Sequence, residues 1–185
     1  EVSLARYLTR RGYDVFAVDL RGHGASERPR AFRWTFDDYL HSDVPALVAA
    51  VGISQGAGLV GIPFTDRAQD GWYDQLDKPS FNPPSWVFAP VWTALYTLMG
   101  LAAWLVWRRP DGRARSTALG VFAVQLVLNA GWTPLFFGAQ RPALALVEQG
   151  ALDAAAVATT VAFARVDRRA AALFVPYLAW LGFAT

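Results

Sequence analysis

The 185-residue chain has no cysteine, only one methionine and only two histidines. The first absence excludes disulfides and thiolate-bound metals. Charge is scarce as well: 17% of the residues are Asp, Glu, Lys or Arg, where a soluble domain carries about a quarter. The net charge of +2 is too small, and the basic residues too scattered, to suggest a nucleic-acid partner. What fills the space is apolar. Hydrophobic residues make up 54% of the chain, and eight of them are tryptophan.

The scarcity is uneven. Of the 32 charged residues, 14 lie in the first 43 positions and 18 in the remaining 142. In the later part, charge-free stretches run over Val44–Thr65, Pro79–Trp107, Ser116–Gln140 and Ala170–Thr185. Pro142–Ala164 is broken only by Glu148 and Asp153. A helix needs about 20 apolar residues to cross a hydrocarbon core of about 30 Å. Lipid offers no hydrogen-bond partner to free backbone groups, so such spans must be helical. The polar sequence is too short to cover them as buried helices of a soluble protein. The chain therefore reads as an all-α, multi-pass integral membrane protein, with a short, more polar segment over 1–43 and a bundle over 44–185. Its five spans are expected at about 44–65, 85–107, 116–137, 142–164 and 170–185, the fifth cut short by the chain end.

Arginines set the expected orientation. Arg108, Arg109, Arg113 and Arg115 follow the second span, and Arg165, Arg168 and Arg169 follow the fourth. The other loops are poor in basic residues. The positive-inside rule puts the arginine-rich loops, and hence the N-terminus, in the cytoplasm. Trp104 and Trp107 are then expected to pack the inner interface.

The first segment has a different grammar. A short amphipathic helix ending at Gly12 is expected, then a strand-type run at Asp14–Leu20, then Arg21-Gly22-His23-Gly24-Ala25-Ser26. Trp34–Ala50 suits a helix with Thr35 as its N-cap and Asp37 and Asp38 in its first turn. The stretch from Gly12 to Pro29 resembles the fourth-strand region of α/β-hydrolases, which makes residues 1–43 an expected hydrolase remnant. Gly52-Ile53-Ser54-Gln55-Gly56 also fits the G-x-S-x-G nucleophile elbow of that fold. The elbow needs a preceding strand, yet Val44–Val51 leaves no room for both helix and strand. Both histidines, His23 and His41, stand upstream, so no downstream base is there to activate Ser54. A glycine-rich membrane helix explains the pentapeptide better: Gly52 and Gly56, and Ala57 and Gly61, have the small-xxx-small spacing of close helix approach. No catalytic or metal-ligating residue is assigned. An esterase-like hydrolase and a non-functional fusion are the alternatives to the membrane reading.

Four motifs in the later part carry a second resemblance. They are Trp72-Tyr73-Asp74-Gln75-Leu76-Asp77-Lys78-Pro79-Ser80-Phe81-Asn82-Pro83-Pro84, the adjoining Trp86–Tyr96 (WVFAPVWTALY), Leu128–Gly138 (LNAGWTPLFFG) and Pro176–Trp180 (PYLAW). In order and spacing, about residues 52–185 resemble the TspO/MBR family of tryptophan-rich sensory and translocator proteins. The chain departs from animal members at Leu144, where they carry a tryptophan. The resemblance implies a five-helix membrane bundle, a homodimer, and binding of protoporphyrin or haem-related tetrapyrroles with no required cofactor. It also implies a sensory, transport or porphyrin-degrading role, the last light-dependent and tied to tryptophans at Trp92 and Trp180.

Helical spacing supports a pocket beside that resemblance. Trp92 and Tyr96 share one face, as do Gln125, Asn129 and Trp132, and Tyr177, Trp180 and Ala184. Indoles with a few amides and hydroxyls suit a flat, largely apolar, porphyrin-type ligand. The expected ligand-binding residues are Trp92, Tyr96, Asn129, Trp132, Tyr177, Trp180 and Ala184, under a cover formed by Trp72–Pro84; plain bundle packing is the alternative. Of the two intramembrane acids, Glu148 is expected at the interface or paired with Arg141, while Asp153 has no evident partner.

Overall fold

A computed structural model describes residues 37, 39–68, 71–76 and 83–184. The chain divides into two units, Glu1–Pro45 and Ala46–Thr185. The expected helix ending at Gly12, the strand at Asp14–Leu20 and the Thr35 cap lie outside the described residues.

Among the described residues there is no strand. The helices are α1 (Val44–Leu59), α2 (Ile62–Ala68), α3 (Ser85–Trp107), α4 (Arg113–Thr133), α5 (Pro142–Val166) and α6 (Arg168–Ala184). Four helical stretches, Tyr39–Thr65, Ser85–Trp107, Arg113–Gly138 and Pro142–Val166, are long and apolar enough to cross a membrane. The 17 residues of α6 reach about 26 Å at 1.5 Å per residue, near the lower limit for a span. Large aliphatic side chains point away from the protein on helix after helix: Ile53, Val127, Val147 and Val175 are all exposed, Val127 by 72%. Water would make that surface an aggregation hazard; in a bilayer it is the solvent-matched face. The protein is an integral membrane helix bundle.

The core lies among α3, α4, α5 and α6. Met99, Ala102 and Val106 of α3 are fully buried against Phe122, Phe163, Phe174 and Tyr177. Phe122, Phe163 and Phe174 meet pairwise at 5.4–6.1 Å between ring centroids, within the range for favourable aromatic pairs. Trp104 is also fully buried, so it packs the bundle interior, whereas Trp107 is partly exposed beside Arg115.

Helix α1 joins α3 by close approach. A Cβ at Gly100 would stand 2.5 Å from Cα of Val51, and one at Gly58 would stand 2.3 Å from Cε2 of Tyr96. Gln55 Nε2 donates across the same seam to the Thr93 carbonyl and to Thr97 Oγ1, each at 2.9 Å. The expected small-xxx-small pairs divide in use: Gly61 abuts Thr133, while an added Cβ at Gly52 or Gly56 would meet nothing within 4 Å.

The third span ends differently from its expected helix over 116–137. Pro134 has no N–H to continue the α-helical ladder, and Pro134–Gly138 forms a π-helical turn closed by Ala139 N–H donating to the Pro134 carbonyl at 2.8 Å. Phe64 of α2 lies against Gly138 of this turn, 2.6 Å from the position a Cβ would take.

At the opposite end, Arg109 after α3 donates through Nε at 3.1 Å and Nη2 at 2.8 Å to Oδ2 of the buried Asp167 before α6. Asp167 Oδ1 also accepts the Arg169 N–H at 2.8 Å, which makes Asp167 the N-cap of α6. Both arginine-rich connections thus belong to the same end of the bundle.

Candidate functional site

Three of the bundle helices place polar side chains at one level of the interior. Tyr96 of α3 donates its hydroxyl hydrogen to Asn129 Oδ1 of α4 at 2.5 Å. Asn129 Nδ2 and Gln125 Nε2, both from α4, donate to the Tyr177 hydroxyl oxygen of α6 at 2.8 Å each. All four side chains are buried. In hydrocarbon a buried polar group must find a partner within the protein, and this chain of bonds satisfies most of them. The Gln125 Oε1 acceptor is buried without a partner among the described residues.

Aromatic rings stand beside this network. The half-buried Trp92 lies 5.4 Å from Tyr96, 6.3 Å from Tyr177 and 6.4 Å from Trp180, centroid to centroid. Trp180 continues the group to Phe88 at 5.8 Å and Phe183 at 5.7 Å. Gly58 of α1 leaves the room that the Tyr96 ring takes. Five of the seven expected site residues, Trp92, Tyr96, Asn129, Tyr177 and Trp180, therefore form one connected constellation.

Trp132 and Ala184 stand differently. Trp132 stacks on Phe136 at 4.8 Å with an interplanar angle of 9° and meets Phe137 at 6.1 Å. Trp72 and Tyr73, from the expected cover, rest on Phe136 and Phe137 at 5.7 and 5.5 Å. This second aromatic group is built on the π-helical turn, one helical turn beyond Asn129. Ala184 is exposed at the end of α6, seven residues past Tyr177.

The acids of α5 correct one expectation. Both Glu148 carboxylate oxygens are buried with no hydrogen-bond partner among the described residues, so the expected pairing with Arg141 is not formed. Helix geometry explains it: Glu148 lies on the inward side of α5 near Ala145 and Leu152, which are buried, while Arg141 precedes the helix and is exposed. Asp153 accepts a hydrogen bond from Gln149 Nε2 at 2.9 Å, one turn away.

Ser54 sits within α1, and its hydroxyl donates to the Ala50 carbonyl one turn earlier at 2.9 Å. A nucleophile elbow is a sharp strand-to-helix turn, and Ser54 is on no such turn. The pentapeptide packs α1: Ser54 is buried and Gln55 ties the helix to α3.

Comparison with known proteins decides the family. The TspO/MBR family model matches residues 48–185. The chain belongs to the TspO/MBR family. It is 43% identical to the human translocator protein over 146 residues, which covers 76% of this chain and 86% of that protein. To the tryptophan-rich protein TspO of Chlorobaculum tepidum it is 39% identical, covering 79% of this chain and 93% of that one. To the tryptophan-rich sensory protein of Cereibacter sphaeroides it is 46% identical, covering 68% and 79%. The serine aminopeptidase S33 family model also matches residues 2–59. The two matches overlap within α1, over residues 48–59, so part of this TspO/MBR first helix has hydrolase-like sequence.

Proposed function

We propose that this TspO/MBR protein binds a planar, largely apolar tetrapyrrole, protoporphyrin or a haem-related molecule, against Trp92 and Trp180. One observation carries the reading: two partly buried indoles meet at 6.4 Å over a buried hydroxyl–amide network of Tyr96, Asn129, Tyr177 and Gln125. Indole faces supply stacking area for a flat macrocycle. The network fixes the Tyr96 and Tyr177 rings from behind, and the buried Gln125 Oε1 is its one acceptor without a partner among the described residues. The Trp132–Phe136 stack, with Trp72 upon it, forms the adjoining wall and cover.

The arginine-rich end of the bundle faces the cytoplasm in this proposal, and a second copy of the chain completes a homodimer. The chain has no cysteine, so single cysteines introduced at Arg113 and Gln140 report sidedness without background. An impermeant thiol reagent applied to intact cells is expected to label the second and spare the first; the reverse pattern overturns the orientation. Light scattering of the solubilised protein tests the dimer.

Binding is tested by titrating the detergent-solubilised full chain with protoporphyrin and following the porphyrin absorbance. A saturable spectral change is expected. A linear change indistinguishable from partition into empty micelles would reject the reading.

A further inference from the structure

The residues of the arginine-rich end divide by what they do. Arg109 is locked to Asp167, Arg115 pairs with Asp111 at 2.6 Å, and Arg108 lies 4.9 Å over the Trp104 ring. Arg113, Arg165 and Arg168 are exposed and make no ion pair or hydrogen bond among the described residues. Seven arginines stand here against two aspartates, Asp111 and Asp167, and both carboxylates are already engaged. The two connections together carry a net charge of +5.

Each of the three unengaged arginines crowns a lipid-facing row. Arg113 is eleven residues from Val124 on α4, Arg165 four residues from Val161 on α5, and Arg168 seven residues from Val175 on α6; the three valines are all exposed. Separations of four, seven and eleven return to nearly the same face of a helix with 3.6 residues per turn. Lipids whose acyl chains cover those valines present their headgroups at the level of the arginines. A long arginine side chain extends naturally from an apolar stem to that depth.

We propose that Arg113, Arg165 and Arg168 form a docking surface for anionic phospholipid headgroups. The Arg109–Asp167 pair holds the two connections together, which keeps the three arginines at the same end of the bundle. Guanidinium matches phosphate by bidentate hydrogen bonding as well as by charge. The proposal is independent of porphyrin binding.

The test reconstitutes the full chain in nanodiscs of equal parts phosphatidylglycerol and phosphatidylcholine, releases it into mild detergent and counts retained lipid by native mass spectrometry. The parent is expected to retain phosphatidylglycerol in preference. Each single Arg→Gln change at 113, 165 or 168 is expected to weaken that retention about fivefold. The triple Arg→Gln variant is expected to lose the preference, and Arg→Lys at the same positions to keep most of it. Arg141→Gln, at the other end of the bundle, serves as control and is expected to change nothing. Inorganic phosphate added during release is expected not to displace the lipid; displacement would mean a site for a free anion. Unchanged preference in the triple variant, with helical content intact by circular dichroism, would overturn the proposal, as would equal loss in Arg141→Gln.

Discussion

At the scale of single residues, the interior is held by a few named hydrogen bonds. Tyr177 is the hub, because its hydroxyl accepts from both Gln125 and Asn129. Tyr177→Phe leaves two buried amide donors unpaired, each costing about 1–3 kcal/mol. The variant is expected to melt earlier in detergent, by circular dichroism, and to bind porphyrin more weakly. Gly58 carries a steric constraint: an alanine Cβ would meet the Tyr96 ring at 2.3 Å. Gly58→Ala must therefore displace that ring, at an overpacking cost of about 1–3 kcal/mol, and porphyrin affinity is expected to fall with stability. An alanine variant that binds as the parent does would show that Tyr96 has no fixed place in the site. The spacing of Trp92 with Tyr96, and of Gln125 with Asn129, is visible in the sequence because residues four apart share a helix face. The role of Gly58 is not visible, since nothing local distinguishes a glycine that admits a ring from another helix from one that faces lipid.

At the scale of elements, the long apolar stretches mark their own helices, and α1 plus α2, α3, α5 and α6 run through four of them. The third span, α4, differs at its end. Pro134 stands in the sequence as a helix disruptor, but whether the chain kinks, stops or widens into a π-helical turn depends on what receives it, here Phe64 against Gly138. That same turn draws Trp132 toward Phe136 and Trp72, away from the group its spacing suggests. Tertiary packing, absent from any local pattern, made that choice. The polar end offers an element-scale prediction. Asp167 both caps α6 and pairs with Arg109. Asp167→Asn can still accept the Arg169 N–H but loses the ion pair; Asp167→Ala loses both. The cap is worth about 1 kcal/mol, so alanine is expected to lower the melting temperature clearly more than asparagine does. Equal losses would mean that the cap contributes nothing.

At the scale of the whole molecule, the exposed valines and isoleucines describe a membrane-embedded helix bundle, and the proposed tetrapyrrole site lies in its interior. The overlap of two family matches within α1 raises the question of whether the hydrolase-like segment serves that site. Ser54 is buried in α1 with its hydroxyl bonded to Ala50. Removal of residues 1–43 is accordingly expected to leave porphyrin binding unchanged, and Ser54→Ala to abolish no esterase activity. A deletion variant that keeps its helical content but loses binding would assign the first segment a part in the site.

The central claim, that a tetrapyrrole stacks on Trp92 and Trp180, is tested most directly by quenching of protein fluorescence as protoporphyrin is added to the solubilised full chain and its tryptophan variants. Aromatic stacking adds about 0.5–1.5 kcal/mol per pair beyond buried area. Trp92→Phe and Trp180→Phe are therefore each expected to raise Kd roughly three- to tenfold. The alanine changes are expected to raise it further, because a hole adds to the lost contact. Saturable quenching by the parent, weakened in that order, is the predicted result. Alanine variants at both positions that bind protoporphyrin as tightly as the parent would contradict the account and make these tryptophans packing residues.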